Sequence, residues 1–282
     1  MQNRVKKLIK AGETAIGTIV TAIGSPNLVW MLAAAGFDFV YLDAEHSCLS
    51  IETIGQMALA ARGAGIVPIV RPPALEPAFI SRCLDGGALG VLVPHVESAT
   101  DAEQVVRACR YPPRGRRGMA SRPAQTGYRV LTDTTSIDDE IVIGVMPESK
   151  RAIDQVQQIA SVPGVDFVVV GLADLALNLG LGTQRDHPRL LQSLDTVIRT
   201  CLPLGVAVGV HTFGVDDART WMLKGIRMLG YSSDVAMIVD SNQATLRQLR
   251  PGKPGAQPAA GPAPPPVATS HATQASHERK PV

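Results

Sequence analysis

Val40-Tyr41-Leu42-Asp43-Ala44-Glu45-His46-Ser47 decides how this 282-residue chain is interpreted. The first half completes an apolar run, residues 39–42, which predicts a buried strand. The second half brings three ionisable side chains in quick succession. Burying such groups in a core is costly, whereas a loop at the carboxyl end of a strand accommodates them. Most other polar clusters of the chain also directly follow an apolar run, so we expect them to converge on one site.

Apolar, strand-like runs alternate with helix-like segments on both sides of this stretch. The predicted strands are residues 16–22, 39–42, 67–70, 89–93, 141–145, 167–170, 206–210 and 226–229. They are continuous rather than alternating in hydrophobicity, which is typical of parallel strands covered on both faces. Eight βα units in about 250 residues predict an α/β fold, a (β/α)₈ TIM barrel. A doubly wound open sheet is the alternative, but no G-x-G-x-x-G follows the first strand.

Three segments depart from this alternation. Residues 251–282 are dominated by Pro, Ala, Gly and Ser, and such a composition predicts a disordered tail after a barrel domain of residues 1–250. Residues 110–139 are polar without a sustained apolar period, which predicts a functional or disordered loop. The basic N-terminus, with Arg4, Lys6, Lys7 and Lys10, predicts a surface helix.

Composition excludes several classes of protein. The net charge of +2 predicts no attraction to nucleic acid, and no apolar run is long enough to span a membrane. The four cysteines show no C-x-x-C spacing, which argues against a zinc site and a disulfide framework. Without a secretory signal, reduced thiols in the cytoplasm are expected. Cys48 is predicted to be a small buried hydrophobe, with a nucleophile as the alternative.

The polar residues at predicted strand ends form a chemically coherent set. Asp43, Glu45 and His46 follow the second strand, and Arg71, Glu148 and Asp174 follow the third, fifth and sixth. Two carboxylates leave room for water and substrate oxygens around a hard cation, which suits Mg²⁺ or Mn²⁺. An arginine fork suits a substrate carboxylate, and histidine titrates near neutrality, as a general base should. Together they predict enolisation of a 2-oxo acid.

Each of these residues also has a structural interpretation. Glu148 and Asp174 precede helices and could serve as dipole-complementing or capping acids, Arg71 could lie in an ordinary loop, and His46 alone would more often be structural. Three further histidines are expected to be structural, although two of them follow strands and could line the pocket: His95, His187 and His211.

Several motifs together resemble the HpcH/HpaI class II (metal-dependent) pyruvate aldolases, within the phosphoenolpyruvate/pyruvate barrel superfamily. The resemblance spans about residues 4–249. Its carriers are Gly36-Phe37-Asp38 with Asp43-Ala44-Glu45-His46, Val70-Arg71-Pro72, Leu84-Asp85-Gly86-Gly87, Val91-Leu92-Val93-Pro94, Arg110-Tyr111-Pro112-Pro113-Arg114-Gly115-Arg116-Arg117-Gly118, and Gly171-Leu172-Ala173-Asp174-Leu175.

The resemblance implies a role for each matched residue. His46 matches the catalytic base, Asp85 the acid that supports it, and Arg71 the arginine that contacts pyruvate. Glu148 and Asp174 match the metal ligands, with Mg²⁺ or Mn²⁺ expected and Co²⁺ as a further option. Ala173 and Asp174 match positions whose backbone contacts pyruvate. Asp43 and Glu45 are then expected to orient the base or the water beside the metal.

Asp85 stands on a helix just before the fourth strand, the wrong end for its own barrel, so a neighbouring subunit is one way to bring it in. The family is similar in forming hexamers with exchanged C-terminal helices, so a homohexamer is expected. The loop from Arg110 to Gly118 is expected to close over the aldehyde side. The chain departs from the family at Met146-Pro147-Glu148, where Gln-Ile-Glu is common, and at Leu172, where Pro is usual.

The sequence therefore predicts an aldolase that cleaves a 4-hydroxy-2-oxo acid to pyruvate and an aldehyde through a pyruvate enolate. Its partners are then small molecules, a 2-oxo acid and an aldehyde. One alternative uses the same chemistry as a decarboxylase or other lyase on an oxaloacetate-like acid. The other is a non-catalytic barrel scaffold, which the joint presence of the site residues disfavours.

Overall fold

A closed barrel of eight parallel strands forms the fold in a computed structural model that describes residues 2–250. The strands pair in chain order: β1 Ala15–Val20, β2 Phe39–Asp43, β3 Val67–Arg71, β4 Gly90–Val93, β5 Val142–Val145, β6 Phe167–Val169, β7 Ala207–Thr212 and β8 Met228–Ser233. Closure is made by β1 against β8, with Ala15 opposite Met228. The predicted (β/α)₈ barrel is confirmed.

Helices separate successive strands. They are α1 Arg4–Lys10, α2 Pro26–Ala34, α3 Ile51–Ala64, α4 Pro77–Asp85, α5 Ala99–Cys109, α6 Thr134–Glu140, α7 Lys150–Asp154, α8 Val156–Ala160, α9 Leu172–Asn178, α10 Pro188–Cys201, α11 Val215–Leu223 and α12 Asp234–Leu249. Residues 149–160 are not one continuous helix, since α7 and α8 meet at Gln155.

Helix α3 illustrates how local sequence sets these elements. Ser50 caps its N-terminus by accepting a hydrogen bond from the backbone N–H of Thr53 at 3.1 Å. Gly65 ends it with φ of 82°, a left-handed conformation that favours glycine. Between them Ile54, Met57, Ala58 and Ala61 are buried, at the spacing of one helical face packed on the sheet.

The barrel interior is filled by large side chains that pack over glycines. A Cβ added at Gly17 would lie 2.3 Å from the ring of Phe39, and one added at Gly144 would lie 2.2 Å from the ring of Phe167. Pairing a large residue with a glycine on a neighbouring strand lets the inward side chains fill the narrow interior. The barrel is consequently a packed core, with space only above its last layer.

Helix α1 contributes to this core, which changes the prediction of a surface helix. Val5 is fully buried, and Leu8 and Ile9 pack against the inward side chains of the barrel. Lys6 is buried as well, donating to the carbonyl of Ile141 at 2.7 Å with Asp166 3.5 Å away. The sequence of α1 is therefore rich in basic residues although the apolar face of this helix packs against the barrel core.

The long polar segment 110–139 is ordered around buried polar groups. It includes α6, and Asp138 at the end of that helix accepts hydrogen bonds from the backbone N–H of Tyr111 at 3.2 Å. Arg110 and Arg117 are buried with it. The segment lacks apolar period because internal polar contacts, rather than an apolar stripe, hold it together.

The chain divides into two compact units, Met1–Asp240 and Ser241–Val282, and the second is described only over 241–250. Residues 241–249 continue α12, with the Thr245 hydroxyl donating to the carbonyl of Ser241 at 3.0 Å. The tail predicted at 251–282 lies outside the described residues. Among the helices that the structure describes, none combines the length and the hydrophobicity of a membrane span.

Candidate active site

Asp43 and Arg71 form the buried centre of the site because β2 and β3 are in register there. The two residues are direct partners across the parallel strands. Arg71 donates from Nε to Oδ1 of Asp43 at 2.8 Å and from Nη2 to Oδ2 at 2.7 Å. Burial acts to lower the pKa of Arg71, but the hydrogen bonds and charge of Asp43, with Glu45 and Glu148, outweigh it and raise that pKa. Arg71 is therefore a fixed positive charge, held in one orientation.

Glu45 connects this pair to two histidines. Its backbone N–H donates to Oδ1 of Asp43 at 3.0 Å, which fixes the loop after β2. Its side chain, only 7% exposed, places Oε2 3.1 Å from Nη1 of Arg71 and Oε1 2.9 Å from Nε2 of His95. His46 is more open, with 58% of its side chain exposed and Nε2 3.6 Å from Oε2 of Glu45. His46 is therefore both supported by a carboxylate and accessible.

Glu148 is buried against His95 at the ends of β5 and β4. Its Oε1 accepts a hydrogen bond from the backbone N–H of His95 at 2.7 Å and lies 3.0 Å from the ring Nδ1. His95 has φ of +56°, a conformation that a non-glycine residue rarely adopts. Burial raises the pKa of Glu148 to about 7, with the charges of Glu45 and Asp174 adding to the rise, although the His95 contacts oppose it.

This donor set fits a divalent cation. One ligand atom from each of Glu45, His95 and Glu148 lies within 4.8 Å of the other two. Crowded carboxylates of raised pKa are stabilised when a cation neutralises them. A Cβ at Gly171 would stand 2.3 Å from Oε2 and 3.0 Å from Cβ of Glu148, so a larger residue there would displace the Glu148 side chain. Carboxylate oxygens suit Mg²⁺ and Mn²⁺, and an imidazole also suits transition metals.

Asp174 and Ala173 lie in the first turn of α9, beside this cluster. They line a cavity of about 330 Å³ together with His46, Arg71 and Glu148. The cavity opens at the carboxyl ends of the strands, where barrel enzymes place their sites. Asp43 lines the cavity too, and Glu45 contacts Arg71 and His46 beside it, so the predicted strand-end residues lie together at one rim of the barrel.

Asp85 is the predicted site residue that the described chain does not bring to His46. It ends α4, before the amino end of β4, and its Oδ1 is 2.5 Å from Nη2 of the buried Arg117. Arg117 also donates to Gln125 at 3.0 Å and stacks over Tyr111. No residue of the loop 110–118 is among those that line the cavity in the described part of this chain.

Asp43 holds the arginine of the site. Both of its carboxylate oxygens accept hydrogen bonds from Arg71, and its expected part in orienting the base or the water beside the metal stays a prediction. The register of β2 with β3 puts them side by side, so that Asp43, at 2.7 Å, lies closer to the guanidinium than Glu45 does at 3.1 Å. Glu45, by contrast, contacts Arg71, His46 and His95 together, which the sequence order of the loop alone does not reveal.

The other histidines and the cysteines differ in their distance from the site. His95 joins the carboxylate cluster and His211 lines the cavity, whereas His187 accepts from the backbone of Arg189 at 3.2 Å and caps α10. The position of His95, two residues after β4, was the signal for its role. Cys48 is exposed, so its prediction as a buried hydrophobe is wrong; the other three cysteines are buried and free.

A closed (β/α)₈ barrel with an acid, histidine and arginine cluster at its strand ends defines a barrel enzyme. Residues 21–241 match the family described as HpcH/HpaI aldolase/citrate lyase. The chain is 31% identical to the hydroxypyruvate/pyruvate aldolase of Roseobacter denitrificans over 252 residues, covering 89% of this chain and 98% of that protein. It is 30% identical to the 2-keto-3-deoxy-L-rhamnonate aldolase of Escherichia coli K12 over 257 residues, 90% and 96% of the two chains.

Solved structures agree with these relatives. The HpcH/HpaI aldolase of Desulfitobacterium hafniense superposes with a TM-score of 0.84 at 30% identity, covering 89% of this chain and 98% of that one. The chain belongs to the HpcH/HpaI aldolase/citrate lyase family. It is accordingly a class II aldolase, a carbon–carbon lyase.

Proposed function

We propose that this protein cleaves a 4-hydroxy-2-oxo acid to pyruvate and an aldehyde, with a divalent cation held by Glu148 and Asp174. The observation that carries the proposal is the buried Glu148, at raised pKa and in contact with His95, in a cavity that a fixed Arg71 also lines. The relatives named as hydroxypyruvate/pyruvate aldolase and 2-keto-3-deoxy-L-rhamnonate aldolase support the reaction class.

The cation site comprises Glu148 and Asp174, with Glu45 and His95 adjacent to it. Mg²⁺ and Mn²⁺ are the proposed metals, and the imidazole of His95 makes Co²⁺ a third. When bound, the cation supplies Lewis-acid stabilisation of the negative charge that develops on the 2-oxo acid. Ala173 and Asp174 contribute backbone contacts to the pyruvate portion.

Side chains of the protein carry out the remaining steps of the reaction. His46 accepts the proton of the C4 hydroxyl, the C3–C4 bond breaks, and the aldehyde leaves with the C4 oxygen. The electron pair remains on the pyruvate portion, which then takes up a proton at C3. Arg71 stabilises the negative charge on that portion, and Asp43 holds the guanidinium so that it need not reorganise during the reaction. Glu45 keeps His46 and Arg71 in their mutual positions.

Proton exchange tests this chemistry without an aldehyde. The protein with Mg²⁺ should exchange the methyl protons of pyruvate with deuterated water, followed by nuclear magnetic resonance. Glu148→Ala and Asp174→Ala should lose both the exchange and the calorimetric binding of Mg²⁺. Glu103→Ala, at a half-exposed site on α5, is the matched control and should change neither. Lack of exchange by the wild-type protein with Mg²⁺ and with Mn²⁺ would refute the proposal.

We also propose a homo-oligomer, a hexamer by family resemblance, in which Asp85 reaches His46 of another subunit. Helix α12 supports this because its Val235 and Val239 are each 43% exposed. Mixing His46→Ala with Asp85→Ala protein, unfolding and refolding them together, should restore part of the activity that each lacks. Mixed oligomers that stay inactive would show that the two residues do not act across subunits. A cytoplasmic location is proposed from the four free cysteines.

A second reaction has one observation in its favour. Arg185 lines the cavity beside Phe213, with its guanidinium 5.5 Å from the ring centre. It brings a second positive charge, which a dicarboxylate such as oxaloacetate would use. Decarboxylation of oxaloacetate by the wild-type protein, lost in Arg185→Gln but with pyruvate exchange retained, would support that activity. Equal decarboxylation by both proteins would refute the role of Arg185.

A further inference from the structure

Arg117, in the segment after α5, is a buried arginine that has no part in the reaction steps described above. Its side chain is 0% exposed. Two backbone hydrogen bonds fix the chain here: the N–H of Arg117 donates to the carbonyl of Arg110 at 2.9 Å, and the N–H of Arg116 donates to the carbonyl of Arg107 at 2.7 Å. Burying a permanent positive charge without a counter-charge is strongly unfavourable. The contacts of the guanidinium therefore indicate its role.

Only one of the three guanidinium nitrogens of Arg117 has hydrogen-bond partners among the described residues. Nη2 lies 2.5 Å from Oδ1 of Asp85 and donates to Oε1 of Gln125 at 3.0 Å. Nε and Nη1 are buried without a partner. An arginine that only bound this segment together would use all three nitrogens, because each buried unpaired donor costs free energy. In the described part of the chain, Asp85 is the one carboxylate that forms an ion pair with Arg117.

Tyr111 and Gln125 hold the guanidinium in one orientation. Cζ of Arg117 lies 4.6 Å from the centre of the Tyr111 ring. Gln125 accepts from Nη2 and donates from its own Nε2 to the Tyr111 hydroxyl at 3.0 Å. Both of these side chains are buried. A planar cation that packs on a ring and is hydrogen-bonded at its edge keeps little freedom, so the atom that faces Asp85 is fixed.

Asp85 lies where a carboxylate does not stabilise its own helix. It is the last residue of α4, and the carbonyl groups at a helix C-terminus repel a negative charge. Its side chain is 27% exposed, and the contact with Arg117 is made through Oδ1. No described residue donates to Oδ2, and this oxygen is not buried. Asp85 is therefore held by one oxygen, and the other can meet a group that this chain does not supply.

We propose that Arg117 is a positioning residue, which fixes the Asp85 carboxylate so that Oδ2 meets His46 of the partner subunit. The inference rests on the proposed function, in which Asp85 reaches His46 across a subunit boundary, and adds the residue that orients the acid. His46 is 58% exposed, so its ring is open to such an approach. The pair mirrors Asp43 with Arg71: there a carboxylate orients an arginine, and here an arginine orients a carboxylate.

A double-mutant cycle separates positioning of Asp85 from a purely structural role. The condensation of pyruvate with the fastest-reacting of acetaldehyde, glycolaldehyde and glyceraldehyde is measured with Mg²⁺. Arg117→Met and Asp85→Ala should each lower kcat about 100-fold and leave KM for pyruvate unchanged, since the acid is misplaced or lost while the pyruvate contacts remain. The double variant should be no slower than either single variant, because Arg117 acts only through Asp85.

Mixed oligomers assign Arg117 to the subunit that supplies Asp85. Arg117→Met refolded with His46→Ala should regain activity at about one quarter of the sites if subunits assemble at random, because an intact His46 then meets an intact Asp85–Arg117 pair. Arg117→Met refolded with Asp85→Ala should regain none, since neither chain supplies a correctly held acid.

Two further variants complete the experiment. Arg117→Lys keeps a charge beside Asp85 but loses the fork that also binds Gln125, so it should recover part of the lost rate. It replaces Arg117→Met in the cycle and in the mixtures if circular dichroism shows that the Met variant is unfolded. Arg107→Met is the matched control: this half-exposed arginine pairs with Glu103 at 3.6 Å on α5, and its replacement should leave kcat unchanged.

Two outcomes would overturn the inference. One is a double variant whose losses add, and the other is activity restored when Arg117→Met is mixed with Asp85→Ala. Failure of the proposed function gives different results. A wild-type protein that does not exchange the methyl protons of pyruvate refutes the aldolase chemistry, and an inactive mixture of His46→Ala with Asp85→Ala refutes the contact between subunits. Exchange and restoration by that mixture, together with an additive cycle, would refute the role of Arg117 alone.

Discussion

Glu148→Gln should make the metal-free protein more stable at pH 8 than the wild type. Glu148 is buried, with 4% of its side chain exposed, and burial raises the pKa of its carboxyl from 4.5 to about 7. Glutamine has the same shape and keeps an oxygen for the backbone N–H of His95. It removes only the charge that the fold tolerates poorly in the absence of a cation.

The size and sign of the effect follow from proton linkage. Below pH 4.5 the carboxyl is protonated in both the folded and the unfolded state, so it costs nothing. As the pH rises to about 7 the unfolded state loses the proton first, and the free energy of unfolding falls. The loss reaches about 3 kcal/mol above pH 7, at about 1.4 kcal/mol per pKa unit. For a domain of this size that is a Tm shift of about 6–12 °C.

Thermal unfolding in EDTA, from pH 4 to pH 8, measures the difference between the two proteins. The Tm values should nearly coincide at pH 4 and diverge through pH 7, with Glu148→Gln the more stable. Added Mg²⁺ should raise the Tm of the wild type alone. Glu103→Gln, at the exposed control site, should follow the wild type throughout. A Glu148→Gln protein that is less stable at pH 8, or equally displaced at every pH, would refute the reasoning.

Two further substitutions probe the walls of the site. Asp43→Asn breaks the bidentate pair with Arg71, so kcat/KM should fall about 100-fold. The affinity for Mg²⁺, measured by calorimetry, is the control and should change little. Unaffected turnover would contradict the positioning role of Asp43. Gly171→Ala places a Cβ against the Oε2 atom of Glu148 and should weaken Mg²⁺ binding by about 10- to 100-fold in calorimetry. Gly118→Ala, where the added Cβ contacts nothing within 4 Å, should bind Mg²⁺ as the wild type does.

Hydrophobic pattern was sufficient to predict the barrel because its strands are buried on both faces. Continuous apolar runs of four to seven residues, each followed by a helical segment, leave few other architectures. Local sequence also sets the boundaries of α3, since Ser50 and Gly65 cap its two ends. Segment 110–139 was harder to predict because long-range polar contacts stabilise it, such as Asp138 with the backbone of Tyr111.

The sequence predicted those members of the site that strand order alone brings together. Arg71, Glu148 and Asp174 each follow a strand, so a closed barrel must bring them to one rim. The identity of each contact could not be predicted in this way. That Glu45 meets His95, or that Asp43 holds Arg71, depends on register and on backbone conformation, such as the positive φ of His95.

The motif Met146-Pro147-Glu148 has a structural rationale in this geometry. The backbone N–H of Met146 donates to Val93 at 2.9 Å, which continues the pairing of β5 with β4 by one residue. Pro147 has no N–H to give, so the ladder ends there, and the next residue, Glu148, lies buried against His95. Met146 itself is buried in an apolar layer, so polar recognition in the barrel interior has to come from other strands.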